Sequence, residues 1–497
     1  MIAITRSTAL YSAAQVRALD SAFIATGVPA TTLMQRAGRA AFELLGARFD
    51  SAGGITVFAG GGNNAGDGFV LAALAAAQQL PVTVVLLGDP DQLSEAARAA
   101  YDDARKAGVS VQSLGAAPSG GVIVDSLLGI GLTGQVRPEY RAAIEQINAS
   151  GLPVLALDIA SGLCADTGAQ MGVAVNADIT ITFIGKKRGL FTGRGPALSG
   201  ELVFDDLAAP EAIYQAVTTE VCQRDFASLR ALLPARQADA HKGHFGHVMV
   251  IGGDVGHGGA AIMAAEAAAR SGAGLVSLAT QPEHVAAMLA RRPEVMACGV
   301  TSGQELEPWL ERPTVLVVGP GLGQSPWSEQ MLQLALASGL PLVLDADALN
   351  LMAKGRLWPA GQQRDDWLLT PHPGEAARLL ACTSAQVQAE RFACVQRLQQ
   401  QYGGAVLLKG AGTLVVGPGQ PINIISGGNP GMASGGMGDV LSGLLGALLA
   451  QGLNAYDAAN LGASVHAHGA DLAAADYGQV SLLASDLLAY TGELLSD

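Results

Sequence analysis

The sequence predicts an α/β protein of two domains, each a doubly wound sheet with helices on both faces. Two observations lead there. Short, β-branched, nearly continuously apolar runs alternate with alanine- and leucine-rich helical runs, the pattern of parallel strands buried on both faces. Glycine-rich turns follow several of those runs and open helices. The length points the same way: 497 residues exceed what one ordinary core holds.

Taken in order, two helix-patterned segments open the chain, one after Ser12 and one after Thr31 and Thr32, all N-cap residue types. The predicted strands of the first series are Ile55–Ala59, Val82–Leu87, Val122–Asp125, Val154–Asp158 and Ile179–Ile184. The rhythm breaks between Asp205 and Lys242, where Pro210, Pro234 and a polar stretch intervene. A second series follows: Val248–Ile251, Leu275–Ala279, Thr314–Val318, Pro341–Asp345, Trp367–Thr370 and Val406–Lys409. Three helical patterns, Gly436–Ala450, Ala455–Ala474 and Ser481–Leu495, close it. The expected boundary is near Cys222, giving domains 1–222 and 223–497.

Composition narrows the function classes. The net charge is −14 and only 14% of residues are charged, which argues against a nucleic-acid surface or a polybasic membrane patch. An anionic ligand must therefore be met by backbone amides, helix N-termini and a few placed cations. The five cysteines have no Cys-x-x-Cys spacing and read as isolated thiols in a reducing compartment. With no signal-peptide pattern and no long uncharged apolar run, the expected location is the cytoplasm. Alanine-rich helical faces point to a homo-oligomer.

In the first half, Gly60-Gly-Gly-Asn63-Asn64-Ala65-Gly66-Asp67-Gly68 joins a strand to a helix. Its glycines allow close backbone approach, and the helix N-terminus favours an anion. It lacks the Gly-Lys-Ser/Thr of a Walker loop. Gly129-Ile130-Gly131-Leu132-Thr133-Gly134 matches G-x-G-x-x-G literally. It sits late in the series and opens no strong helix, so a dehydrogenase fingerprint is discounted. Asn64, Asp125 and Ser161 each fall at or past the C-terminal end of a strand. They offer hard oxygens, suited to an alkali or alkaline-earth cation, although spacing alone leaves ordinary cap roles open.

With Asp125-Ser-Leu-Leu-Gly-Ile-Gly-Leu, Asp158-Ile-Ala-Ser-Gly-Leu and Lys187-Arg-Gly-Leu, the first half closely resembles the NAD(P)H-hydrate epimerase domain. The resemblance implies K⁺ held by Asn64, Asp125 and Ser161. It implies substrate contacts from Asn63, Asn64, Ala65, Gly66 and Asp67, from Gly129, Ile130, Gly131, Leu132, Thr133, Gly134 and Gln135, and from Tyr140 and Asp158. Ala160 stands where many relatives carry proline. Epimerisation at C6 of the hydrated nicotinamide calls for a carboxylate, with Asp158 as the acid–base candidate. Lys187 is a second catalytic candidate, a solvated surface lysine being the other reading.

In the second half, Lys242-Gly-His-Phe-Gly-His247 has no acidic or cysteine partner and is not read as a zinc site. Gly258-Gly-Ala260-Ala261 and Gly319-Pro-Gly-Leu-Gly323 are strand-to-helix cradles. His372, fixed between Pro371 and Pro373, reads as a presented ligand contact. Ser434-Gly-Gly-Met-Gly438-Asp439 brings bare amides to a helix start with a carboxylate behind them, the parts of a phosphoryl-transfer site.

These motifs, with Asp345-Ala-Asp-Ala-Leu-Asn, His372-Pro-Gly-Glu375 and Lys409-Gly410-Ala411-Gly412-Thr413, resemble the ribokinase-like superfamily and NAD(P)H-hydrate dehydratase in particular. The implied architecture is an N-terminal Rossmann-like three-layer α/β/α sandwich and a C-terminal ribokinase-like α/β/α domain. The resemblance assigns the hydrate to Ala260, Gly323, His372 and Asp439, and the nucleotide to Lys409–Thr413 and Gly438. Asp439 is the implied catalytic base, and Glu375 would help hold Mg²⁺ through water. The whole chain is similar to bifunctional NAD(P)H-hydrate repair enzymes. Its expected small-molecule partners are NADHX, NADPHX and ADP, the last giving AMP and phosphate. The sequence itself does not separate ADP from ATP. A ribokinase-like vitamin-precursor kinase leaves the asparagine loop unexplained. A non-catalytic nucleotide-sensing scaffold leaves the retained Asp125, Asp158 and Asp439 unexplained.

Overall fold

The structure, a computed structural model, describes residues 4–115, 118, 121–359 and 361–496. The chain divides into two units, one ending at Val221 and the next beginning at Cys222.

The N-terminal unit carries a seven-stranded sheet. In spatial order its strands are Ser110–Gln112, Val82–Leu86, Ile55–Ala59, Val122–Ser126, Val154–Leu157, Ile179–Phe183 and Glu201–Asp205. Every pair is parallel. The central strands are apolar because helices cover both faces. The two outer strands escaped the sequence pattern because half-exposed edges alternate or turn polar: Ser110 and Gln112 are exposed, and so is Glu201. Successive strands run outward from Ile55–Ala59, then return to its other side at Val122–Ser126. That reversal is the switch point at which open α/β sheets bind ligands.

Ser12 caps the helix Ala13–Ala25 through a capping box with Gln15. The second helix starts earlier than expected, at Ala30 behind Pro29, so Thr31 and Thr32 lie inside its first turn and cap nothing. Three strands of this unit close one residue early, at Leu86, Leu157 and Phe183. Asp158 and Ile184 adopt left-handed backbone, φ 67° and 60°, which ends the ladder and costs L-residues roughly 1–3 kcal/mol each.

The C-terminal unit's sheet runs Ile422–Ile424, Leu414–Val416, Ala405–Leu408, Trp367–Leu369, Leu342–Leu344, Val315–Val318, His247–Ile251, Leu275–Thr280, Met296–Gly299. Its switch point lies between His247–Ile251 and Val315–Val318. The sheet is not wholly parallel: Leu414–Val416 pairs antiparallel with both neighbours. A five-residue turn is too short for a parallel crossover, so Lys409–Thr413 becomes the tip of a hairpin. Helix Met437–Ala450 packs on helix Gly258–Arg270 at backbone distance. A Cβ on Gly443 would sit 2.0 Å from the Ala264 carbonyl oxygen. The third expected helix is shorter, Leu487–Leu495, preceded by a single 3₁₀ turn at Ala484–Asp486.

Candidate active sites

At the switch point of the first unit, a cleft of about 1190 Å³ opens over the C-terminal strand ends. Asn63, Asn64, Asp67, Gly129 to Thr133, Gln135, Tyr140, Asp158 and Lys187 all line it. Ala65, Gly66 and Gly134 do not. Ala65 is fully buried. Gly66 packs the helix Asn63–Ala77 against Met34, whose sulfur would lie 2.4 Å from an added Cβ. Gly134 is a left-handed turn residue in open space. Tyr140 presents ring rather than hydroxyl, because its OH donates to the Leu87 carbonyl at 2.9 Å.

Asp125 and Ser161 are fully buried and Asn64 nearly so, at the C-terminal ends of three adjacent strands. The Ser161 hydroxyl donates to Asp125 Oδ1 at 2.6 Å and its amide donates to Oδ2 at 2.8 Å. The Leu127 amide donates to Oδ1 at 3.2 Å, and the Leu128 amide donates to Ser161 Oγ at 2.8 Å. Burial pushes the Asp125 carboxyl up to about 6, with the bonds from Ser161 opposing. Both amide atoms of Asn64 are buried without a hydrogen-bond partner. An orphaned side-chain oxygen, a buried carboxylate and a hydroxyl at adjacent strand ends make an all-oxygen donor set that fits an alkali or alkaline-earth cation.

Lys187 corrects the surface reading: it is fully buried. Its ammonium donates to Asp158 Oδ1, to Thr182 Oγ1 at 2.9 Å and to the Phe183 carbonyl at 3.0 Å. Its three hydrogens are thereby used. Four further carboxyls line the same cleft, Asp20, Asp67, Asp89 and Glu139. Burial raises Asp20 to about 6, opposed by Lys187 and reinforced by Asp158. It raises Asp67 well above the carboxylate range, reinforced by Asp158 and Asp20.

In the second unit, Lys409 is the hub. Its ammonium lies 2.7 Å from Asp345 Oδ1 and 3.9 Å from Glu375 Oε2. Ser442 donates to Asp345 Oδ2 at 2.7 Å. A Cβ on Gly438 would stand 3.3 Å from Lys409 Nζ and 3.4 Å from Asp345 Oδ2, so the helix start carrying Asp439 lies against this cluster. Gly436, left-handed at φ 94°, is the N-cap that turns the chain into that helix. Burial raises Asp439 to about 7, with Asp345 adding and Lys409 opposing. Burial would lower Lys409, but Asp345 and Glu375 outweigh it and the net shift is upward.

His372 is the N-cap of helix Pro373–Leu379. Its Nδ1 accepts from the Gly374 amide at 2.9 Å, and its half-exposed ring has Nε2 3.2 Å from Glu375 Oε1. Burial lowers it, as do Lys409 and Arg378, so the ring is neutral near pH 7. Glu375 accepts from the His372 amide at 2.8 Å and is raised to about 7 by burial. A single carboxylate already engaged with His372 is not a protein cage, and any Mg²⁺ here would keep most of its water and phosphate oxygens. Gly323, left-handed at φ 70°, donates to Asp347 Oδ2 at 3.1 Å. Ala260 packs beneath the same loop, 3.1 Å from where Gly321 would carry a Cβ.

Sequence reasoning passed over Arg391. It is fully buried and donates to the carbonyls of Leu408, Lys409 and Gly412 at 3.3–3.4 Å. Drawing those carbonyls inward shapes the Lys409–Thr413 hairpin tip. Its signal in the sequence is a cation at the first residue of helix Arg391–Tyr402, against the helix dipole. Asp20 was also passed over. It sits one residue after Leu19 and four after Val16, both buried, an acid on the margin of an apolar face.

The comparisons with known proteins agree with this division. A profile described as YjeF-related protein N-terminus matches residues 30–189, and one described as NAD(P)H-hydrate dehydratase matches residues 248–492. The bifunctional NAD(P)H-hydrate repair enzyme of Coxiella burnetii is 47% identical, over 98% of this chain and 100% of its own. The chain belongs to that family. The family's enzyme from Escherichia coli K12 is 42% identical, over 93% of this chain and 88% of its own. A ribokinase-like superfamily protein of Enterococcus faecalis V583 matches in structure with TM-score 0.51 and 30% identity, over 56% of this chain and 96% of its own. Among the described residues no helix is long and apolar enough to cross a membrane.

Proposed function

We propose that the chain repairs hydrated NAD(P)H in two steps, the N-terminal unit interconverting the R and S hydrates and the C-terminal unit dehydrating the S form with a nucleotide. The observation that carries this reading is that each unit holds its own carboxylate–lysine cluster beside a glycine-rich loop. Family membership supplies the substrate. Incubating the protein with mixed R,S-NADHX and nucleotide, and following recovery of NADH absorbance, tests it; no recovery with any nucleotide would reject it.

In the first unit, C6 loses its hydroxyl and regains it on the other face. Ring nitrogen supplies the electron pair that forms the cationic intermediate, and the Asp158 carboxylate stabilises it. Asn64, Asp125 and Ser161 would hold K⁺, which supplies fixed positive charge near the phosphate-facing loops. Asp125→Ala is expected to lower epimerisation and abolish its response to K⁺, read as rates in potassium against sodium buffers. Equal wild-type rates in both buffers would remove the cation from this site.

In the second unit, hydroxide is a poor leaving group. Asp439 takes the C6 hydroxyl proton as the terminal phosphoryl group arrives, and amides at the Gly435–Gly438 helix start receive that group. Ring nitrogen then expels phosphate, and loss of a C5 proton restores the dihydropyridine. Lys409–Thr413 and Gly438 would grip the nucleotide, with Ala260, Gly323 and His372 on the hydrate side. We assign ADP as the donor, giving AMP and phosphate, with Mg²⁺ near Glu375. ADP is expected to give faster NADH recovery than ATP at matched Mg²⁺; a clear preference for ATP would overturn that assignment. We further propose that the chain works on small molecules in the cytoplasm, without a nucleic-acid partner, as a homo-oligomer built on its alanine-rich helical faces.

A further inference from the structure

Inversion at C6 takes oxygen from one face of the ring and returns it to the other. A proton must therefore be given to the departing hydroxyl and taken from the incoming water. Asp158 is poorly placed to be the donor. The buried Lys187 ammonium donates to it directly, and a carboxylate engaged in such a charge-assisted bond is suited to facing the cationic ring and accepting a proton. The donor must be another group in the same cleft.

Asp20 meets the requirement. It lies on helix Ala13–Ala25 and lines the cleft with Asp158, Asp67 and Lys187. Its carboxyl makes no hydrogen bond or ion pair among the described residues, because the three hydrogens of Lys187 go to Asp158, Thr182 and Phe183. Of the five carboxyls that line the cleft, Asp158 pairs with Lys187, Glu139 pairs with Arg137 and Asp89 caps a 3₁₀ turn, which leaves Asp20 and Asp67. We propose that Asp20 is the general acid of epimerisation, protonating the C6 hydroxyl so that it leaves as water, with Asp158 facing the cationic ring. The C6–O bond breaks with the proton from Asp20, the ring nitrogen pair forms C=N, water adds to C6, and its proton returns to the cluster. The cycle is balanced with no other reagent.

The charged groups around Asp20 are Lys187 and Arg17, which favour its anion, and Asp158, which disfavours it. Asp67 interacts with it from helix Asn63–Ala77. Burial outweighs the cations and leaves Asp20 titrating at about 6, close to working pH, as efficient proton transfer requires. Burial also raises Asp67, reinforced by Asp158 and Asp20. Arg17 beside it on the helix is exposed, so Asp20 sits toward the wet rim, where solvent can reprotonate it.

The proposal rests on the cleft being the epimerase site, and the test separates the two claims. Epimerisation of pure R hydrate is measured by chromatography from about pH 5 to about pH 9 for wild type, Asp20→Asn, Asp20→Glu, Asp67→Asn and Asp158→Asn. Dehydration of S hydrate by each protein reports the second unit. Asp20→Asn is expected to lower the rate by ~10²-fold or more and to remove the fall in rate on the alkaline side; Asp20→Glu restores both. A near-wild-type Asp20→Asn, or a slow one that keeps the alkaline fall, overturns the assignment. Loss of that fall in Asp67→Asn instead moves the acid to Asp67 and overturns it equally. An unaffected Asp158→Asn shows that the cleft itself was misassigned.

Discussion

Asp439→Asn separates the two activities: NADH formation falls by ~10²–10⁴-fold, the usual loss for a general base, while R and S hydrates still interconvert at the wild-type rate. The substitution keeps the shape of a side chain at the third residue of helix Met437–Ala450, so folding is expected to persist. What it removes is a carboxylate titrating at about 7, poised to take a proton near neutral pH. A loss of that size corresponds to about 3–5 kcal/mol of barrier at ~1.4 kcal/mol per tenfold. The measurement starts from pure R hydrate with ADP and follows S hydrate and NADH together. Near-normal NADH formation would remove Asp439 from the mechanism. Loss of both products in a folded protein would show that the two units are coupled.

Lys187→Met carries the next largest effect, and it is an effect on stability as well as rate. Breaking a buried ion pair by deleting one partner costs roughly 3–5 kcal/mol. Here the deletion strands Asp158 beside two further cleft carboxyls, Asp20 and Asp67. In the wild type, burial already raises Asp20 to about 6 and Asp67 well above its ordinary value. A carboxyl whose affinity for protons rises on folding stabilises the fold at low pH, and that contribution is lost as pH rises through its folded value. For Asp20 the loss is complete a little above pH 6. Removing Lys187 removes the cation that opposes the rise of both Asp20 and Asp67. The variant's deficit is therefore smaller near pH 5 than near pH 8. Thermal inactivation of epimerisation at the two pH values measures it, with dehydration of S hydrate by the same protein as the internal control. A deficit independent of pH would mean that Lys187 does not set the charge balance of Asp20 and Asp67.

Much of the site was legible because catalytic loops are local in sequence. Asn63 to Asp67 open helix Asn63–Ala77, Gly129 to Gln135 lie in the loop before helix Pro138–Ala149, and Gly435 to Asp439 open helix Met437–Ala450. A turn that needs bare amides and left-handed backbone can be written only with glycine and a few small polar residues. Edge strands were illegible for the opposite reason. Ser110–Gln112 and Glu201–Asp205 face solvent, so nothing obliges them to be continuously apolar.

Charge partners were the other blind spot. Lys187 and Asp158 are 29 residues apart in the chain, Lys409 and Asp345 are 64 apart, and neither pair has a spacing rule. Lys187 reads as a surface lysine until the fold buries it. Arg391 reads as a helix residue until its guanidinium is seen under the Lys409–Thr413 hairpin.

The sequence by itself determined two α/β units, the turns that carry the chemistry and the residue types in them, because hydrophobic period and backbone conformation are short-range constraints. Only the tertiary structure decided which carboxylate has a cation and which is left to hold a proton. Ion pairing and desolvation depend on what neighbouring elements bring within a few ångströms. In the first unit that meeting of helix Ala13–Ala25, the Asp158 strand end and Lys187 is what distinguishes Asp20 from its neighbours.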